Sequence, residues 1–265
     1  MPIDGAMRKR PATQPREGDE AAKRQSTDGV VLGDLQAPAI AHAPAAPSSH
    51  KQVGTYVGII TFHLASGYSP EQFETDMPGF AGAFTPSAIP GLLGKRWLNN
   101  DEKGVYGGCY LWKDEDAYLE FKNNGLWAQV VSVNPNFTNA SMRGFHIIDS
   151  LTVFEDEIPT VGYIALVSFK LIDGYTEPEY LVDCQELKPI FKPGALPGLL
   201  CKRWLKSGDG VYGGCYFFKD EASFKTYEAE GPWAGAISVH PKFTGQTLEG
   251  FPVHLELTQM SDGQP

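Results

Sequence analysis

Tyr56-Val57-Gly58-Ile59-Ile60-Thr61-Phe62-His63-Leu64 is an apolar run rich in β-branched residues, and its length predicts a buried strand rather than a helix. Ser69-Pro70-Glu71-Gln72 then marks a helix start, with serine as N-cap and proline in the first turn. That helix should run toward Phe84, although Pro78-Gly79 and Pro86 press it to stop earlier. Leu92 to Leu98 predicts a second strand, Asn99 to Gly104 a hairpin loop, and Val105 to Trp112 a third strand antiparallel to the second. Gly107-Gly108 leave that strand without side chains to pack, which signals a bulge or the close approach of another group. From Lys113 to Phe121, acidic residues at the start and apolar residues at helical spacing predict a second helix. After a Trp-containing turn, Phe145 to Phe154 predicts a fourth strand. The order β-α-β-β-α-β is the ferredoxin-like arrangement.

Almost all of this pattern occurs twice. Pro90-Gly91-Leu92-Leu93-Gly94-Lys95-Arg96-Trp97-Leu98 returns as Pro197-Gly198-Leu199-Leu200-Cys201-Lys202-Arg203-Trp204-Leu205. Val105-Tyr106-Gly107-Gly108-Cys109-Tyr110 returns as Val211-Tyr212-Gly213-Gly214-Cys215-Tyr216. An offset of just over a hundred residues is the size of a small domain, so the chain reads as a tandem duplication. The expected division is a tail over 1–52, a first repeat over 53–157 and a second over 158–265. A four-stranded antiparallel sheet covers one face with its own helices and leaves the other needing a partner. The other repeat's sheet is that partner, giving an α+β fold in which two repeats form an intramolecular barrel with a central cavity.

Composition narrows the chemistry. With 265 residues, 42% of them hydrophobic, there is apolar material for two compact domains, and no run reaches the length of a membrane span. A net charge of −10 argues against nucleic acid as partner. The first fifty residues hold six prolines and no Phe, Tyr or Trp, a composition that predicts a disordered tail. Within it, Arg8-Lys9-Arg10 would be either a solvated cluster or an import address. The four cysteines form no C-x-x-C pair and read as buried free thiols of a reducing, cytoplasmic compartment, with no metal site. No nucleotide-binding, zinc-protease or serine-hydrolase motif is present, and no cofactor is expected.

Pro90-Gly91-Leu92-Leu93-Gly94-Lys95-Arg96-Trp97, the hairpin, Gly107-Gly108-Cys109-Tyr110-Leu111-Trp112 and the acidic start at Asp114-Glu115-Asp116 resemble the YdhR-like monooxygenases of the dimeric α+β barrel superfamily. The second copy carries the same resemblance through Pro197 to Trp204 and Gly213-Gly214-Cys215-Tyr216-Phe217-Phe218. The family's first tryptophan is replaced by Gly94 and Cys201, and two unequal halves are fused where the family pairs identical chains. The resemblance implies a small-molecule substrate held in the barrel and oxidation by molecular oxygen without a cofactor. The superfamily also contains cyclases, isomerases and haem-dependent branches, so a non-oxidative cyclase or isomerase, or a non-catalytic binding or assembly module, remain alternatives.

Candidate site residues follow from type and position. His63, at the end of an apolar strand, is the first candidate general base, with His146 and His254 on the predicted fourth strands as others. Each is present in one copy only, and Lys170 aligns with His63, so an asymmetric pocket is expected. Lys95, Arg96, Lys202 and Arg203 could bind a carboxylate or stabilise an enolate. Trp97, Trp204, Tyr106, Tyr110, Tyr212 and Tyr216 complete the candidate substrate-binding set, with packing as their competing role. Period-two alternation puts Lys95 and Trp97 on one face and Gly94 and Arg96 on the other, without revealing which face looks inward. The fused pseudo-dimer could assemble further.

Overall fold

The computed structural model describes residues 54–152 and 160–262. The expected tail over 1–52 therefore lies outside the described residues. The first repeat comprises β1 (Tyr56–Leu64), α1 (Pro70–Ala81), β2 (Leu92–Asn100), β3 (Val105–Trp112), α2 (Glu115–Asn123) and β4 (Phe137–Ile147). The second comprises β5 (Tyr163–Leu171), α3 (Glu177–Leu187), β6 (Leu199–Lys206), β7 (Val211–Phe218), α4 (Glu221–Ala229) and β8 (Phe243–Pro252), and is followed by α5 (Leu255–Asp262). Side-chain caps fix the helix starts: Ser69 accepts from the Gln72 amide, Asp114 from Ala117 and Asp220 from Ser223. No described helix is long and apolar enough to cross a membrane.

The strands form one eight-stranded sheet in the order β2-β3-β1-β4-β6-β7-β5-β8. The repeats join where β4 pairs antiparallel with β6, through His146 opposite Lys206 and Ile147 opposite Leu205. A bridge from Leu98 at the end of β2 to Val253 just past β8 brings the outer edges together. The two sheets thus close on each other as an α+β barrel, with the helices outside. Between the sheets sit Val57, Ile59, Leu98, Cys109, Phe145, Ile164, Leu166, Cys201, Cys215 and Phe251, all buried. The other face of each sheet carries a separate, aromatic core against its own helices.

Each repeat also sends its last segment into the other. After β4, Ile148 donates its amide to the Trp204 carbonyl at 2.8 Å, and the Trp204 amide donates to Thr152 Oγ1. After β8, His254 donates to the Trp97 carbonyl at 2.9 Å, and the Trp97 amide donates to Thr258 Oγ1. Leu151 consequently packs in the second repeat's aromatic core, and Leu257 in the first's. This reciprocal exchange buries a side chain of each repeat inside its partner.

Two elements differ from the sequence pattern. The fourth strand is Phe137–Ile147 rather than one beginning at Phe145, because mainly polar Thr138 to Arg143 pair with β1 through Ile59 opposite Arg143 and Thr61 opposite Ser141; residues 153–154 of the expected strand lie outside the described residues. Tertiary pairing overrides a weak intrinsic preference there. Helix α1 continues through Pro78 to Ala81, since Phe73, Met77 and Ala81, spaced by four, all bury against the sheet.

Candidate functional site

Two equivalent pockets lie between the sheets and their helices, one per repeat. The first is lined by Phe62, Met77, Phe84, Lys95, Trp97, Tyr110 and neighbours, and the second by Phe169, Cys184, Phe191, Lys202, Trp204, Tyr216 and neighbours. Each holds a cavity of about 40 Å³, room for a few waters or a small organic fragment. The sequence points to a cavity between the sheets, whereas that space is filled by the aliphatic and cysteine cluster, with Cys109 Sγ 4.0 Å from Cys215 Sγ. An open cleft of about 330 Å³ lies on the surface beside the β2–β3 hairpin, lined by Asp101, Glu102, Lys103, Lys225, His254 and others. Its charges are mixed, and its lining also includes buried Tyr163 and Asn100.

At the heart of each sheet–helix pocket is a fully buried lysine. Lys95 Nζ lies 2.9 Å from the Trp97 ring centroid, 3.8 Å from Phe84 and 4.9 Å from Tyr110. Lys202 Nζ lies 3.0 Å from Trp204, 3.3 Å from Phe191 and 4.8 Å from Tyr216. Room for the lysine stems comes from glycine: a Cβ on Gly108 would stand 2.9 Å from the Lys95 Cε, and on Gly214 3.1 Å from the Lys202 Cε. The preceding Gly107 and Gly213 admit no side chain either, because a Cβ would sit 1.9 Å from the Ile60 or Val167 carbonyl oxygen. The glycine pairs of the third strands are thus positions of close approach.

Burial holds both lysines well below the usual amine range. Ring faces oppose this by stabilising an ammonium, but desolvation is the larger effect, so each buried amine gives up its proton more readily than an exposed lysine. Burial also pushes Tyr110 and Tyr216 well above the ordinary phenol range, so both keep their protons.

Of the sequence candidates, the fold brings Lys95, Trp97 and Tyr110 together in one pocket and Lys202, Trp204 and Tyr216 in the other. Alternation along β2 and β6 sends Arg96 and Arg203 the other way, and the Arg203 guanidinium lies 4.7 Å over the Phe217 ring between the sheets. The Tyr106 hydroxyl donates to Asp101 at 2.7 Å, and Tyr212 packs on Tyr180 with ring centroids 4.9 Å apart. Lys170 is exposed, and His63 is half-buried at the end of β1. His146 is exposed, its Nε2 3.3 Å from a Glu115 carboxylate oxygen, and His254 Nε2 lies 2.7 Å from Glu74 Oε2. None of these three histidines lines either pocket. A haem macrocycle does not fit either pocket, because about 40 Å³ is far too small and no histidine stands in the wall. Phe84, Phe191, Tyr180 and Cys184 were not among the candidates. Their only signal is the apolar spacing of α1, α3 and the short helical turns that follow.

The comparisons with known proteins agree with this fold. Residues 59–157 match the family model described as "Putative mono-oxygenase ydhR", which bears out the resemblance carried by the Pro90 to Trp112 stretch. No curated protein matches. Among solved structures, a putative monooxygenase from Fusobacterium nucleatum is 10% identical with a TM-score of 0.54, covering 77% of this chain and 94% of its own. One from Lactobacillus acidophilus is 13% identical with a TM-score of 0.51, covering 75% and 94%. A mutant chlorite dismutase from Candidatus Nitrospira defluvii, bound to cyanide, is 9% identical with a TM-score of 0.51, covering 79% and 94%. These likenesses show the ferredoxin-like, α+β barrel fold. Each structural relative has nearly its full length matched by this chain.

Proposed function

We propose that this protein is a small-molecule enzyme, a cofactor-independent monooxygenase acting on a compact aromatic or polyketide-like substrate. The YdhR-type match over 59–157 and the monooxygenase descriptions of its structural relatives support the class. The observation that carries the mechanism is the buried, aromatic-caged lysine of each pocket. A neutral amine is a base, and Lys95 or Lys202 would take the proton from a phenol or enol held against the ring faces. The resulting ammonium is then met by the same rings, which stabilise the charge as it forms. The electron-rich substrate anion supplies the electrons that reduce dioxygen. A methylene becomes a carbonyl, one oxygen atom enters the substrate and the other leaves as water. At about 40 Å³ the pocket must widen to admit a ring system, since ligand pockets run to roughly 300 Å³ or more. The π-helical turns Trp127–Val131 and Trp233–Ile237, which supply part of each wall, are the elements placed to give way.

Dioxygen uptake with a panel of phenols and 1,3-diketones tests this. Wild type should consume oxygen with at least one of them, and the Lys95→Met/Lys202→Met variant should lose about 100-fold or more in turnover. Uptake unchanged in the double variant would remove lysine from the mechanism. Turnover under nitrogen would instead support the cyclase or isomerase alternative, which uses the same base.

A further inference from the structure

The two pockets are not chemically equal. Tyr180 and Cys184 on α3 stand where α1 has Phe73 and Met77, so the second pocket gains a hydroxyl and a thiol over its twin. The Tyr180 hydroxyl is buried in the wall of this pocket, where the Cys184 thiol is its weak polar neighbour and no oxygen or nitrogen acceptor meets it among the described residues. A buried hydroxyl lacking a strong acceptor costs up to about 1–3 kcal/mol, so its retention beside a cavity needs a reason. Lys202 Nζ is buried in the same wall and faces ring carbons at 3.0–3.3 Å from their centroids. A donor met only by a weak thiol, lining the same small cavity as an amine packed on ring carbons, is complementary to a group that offers an oxygen acceptor and an electrophilic carbon together. That group is a carbonyl.

We infer that the second pocket captures a compact aldehyde or ketone as an imine on Lys202, with the Tyr180 hydroxyl donating to the carbonyl oxygen. The Lys202 lone pair adds to the carbonyl carbon while the C=O π pair moves to oxygen, which is protonated to a carbinolamine. The hydroxyl then leaves as water with a proton from Tyr180, and nitrogen gives up its remaining proton, which returns to the phenolate. One amine and one carbonyl yield one imine and one water, with no change of oxidation state. Cys184 is the less reactive neighbour, because burial pushes its thiol up to about 11, whereas burial lowers the Lys202 amine. A cavity of about 40 Å³ limits the captured group to a few heavy atoms, or to the carbonyl end of a longer molecule entering through the widened mouth. The assignment rests on the pocket described under the proposed function but not on its oxygen chemistry.

The test is reductive trapping under nitrogen, so that its result does not depend on oxygen consumption. Wild-type protein is treated with limiting propanal and cyanoborohydride at pH 7, and alkylated lysines are mapped by peptide mass spectrometry. At that pH an ordinary exposed amine is deprotonated in only about one molecule in a few thousand. Lys202 should therefore be alkylated at least about tenfold faster than exposed Lys113 or Lys225, and faster than Lys95. Tyr180→Phe, which installs the ring the first repeat already carries at this place, should slow Lys202 labelling to the Lys95 rate with the circular dichroism spectrum unchanged. Labelling confined to exposed lysines would overturn the inference. Equal labelling of Lys95 and Lys202 would overturn its restriction to the second pocket, and unaltered labelling in Tyr180→Phe would overturn the role of that hydroxyl. Trapping without oxygen uptake would leave this inference standing and the monooxygenase reading refuted.

Discussion

The two faces of each sheet are packed with different materials. Between the sheets the chain places aliphatic side chains, cysteines and the phenylalanines Phe145, Phe217 and Phe251, but no Tyr or Trp among the described residues, with the arginines of β2 and β6 at that layer. Against the helices it places Tyr, Trp and Phe, with one lysine per repeat sealed among them. Lys95 and Arg96 are adjacent in sequence, yet the pleat sends one into a closed aromatic cage and leaves the other half-buried on the opposite face. Arg keeps its charge in almost any setting, whereas Lys gives up its proton when buried. The helix-facing layer is therefore where a reactive, neutral base can exist, and the inter-sheet layer is where the repeats are held together.

The largest effect on that division should come from the exchanged tails. Leu257→Ala opens a hole in the first aromatic core and should cost about 2–5 kcal/mol, read as a lowered denaturant midpoint. A loss below about 1 kcal/mol would mean the tail is not part of that core. Next, Lys202→Met replaces a buried amine with an apolar chain of similar length and should stabilise the protein by about 1–3 kcal/mol. The pH dependence sharpens this. Unfolded, the amine protonates near about 10.4, and folded, burial holds it well lower. Between those values the unfolded chain binds the extra proton, so wild-type stability should rise with pH across the window and level off below the folded value. Lys95→Met/Lys202→Met should flatten that rise, and a persistent slope would place its origin elsewhere. In the inter-sheet layer, Cys215→Ala removes a thiol from a closed aliphatic core and should cost about 1 kcal/mol without altering Lys202 labelling. Smallest is Arg143→Ala. It breaks a two-point contact with Glu249 at 2.7 and 3.0 Å that is about one-third exposed, so solvent screening limits the loss to about 0.2–1 kcal/mol.

Much of this architecture could be read from the chain because the duplication supplies two copies of each signal. A strand ambiguous in one repeat is constrained by its twin, and the hairpin that shortens between copies marks itself as a loop. The site was legible in part. Lys95 and Lys202 stand out as charges inside apolar strands, but periodicity gives two faces without saying which is covered by helices. His63, His146 and His254 attract attention by residue type, yet their positions at strand ends place them by Glu115, Glu74 or the surface rather than in a pocket wall. The tail exchange left one overlooked trace, the dipeptides Leu151-Thr152 and Leu257-Thr258 at matched positions. Polar β4 was missed because its pairing is set by β1 and not by its own side chains.

The Arg143–Glu249 contact joins matched positions of the two repeats, as the Cys109–Cys215 contact does. In a dimer of identical chains, positions that meet across a two-fold axis must hold the same residue. A thiol can face a thiol under that constraint, but opposite charges cannot be installed. In the fused chain the two sides are free to differ, and arginine on one side with glutamate on the other disfavours pairing of either half with itself. First halves expressed alone would meet arginine to arginine and second halves glutamate to glutamate, so mixed halves should find each other in preference to themselves. That one ion pair favours recognition of the other half over recognition of an identical one.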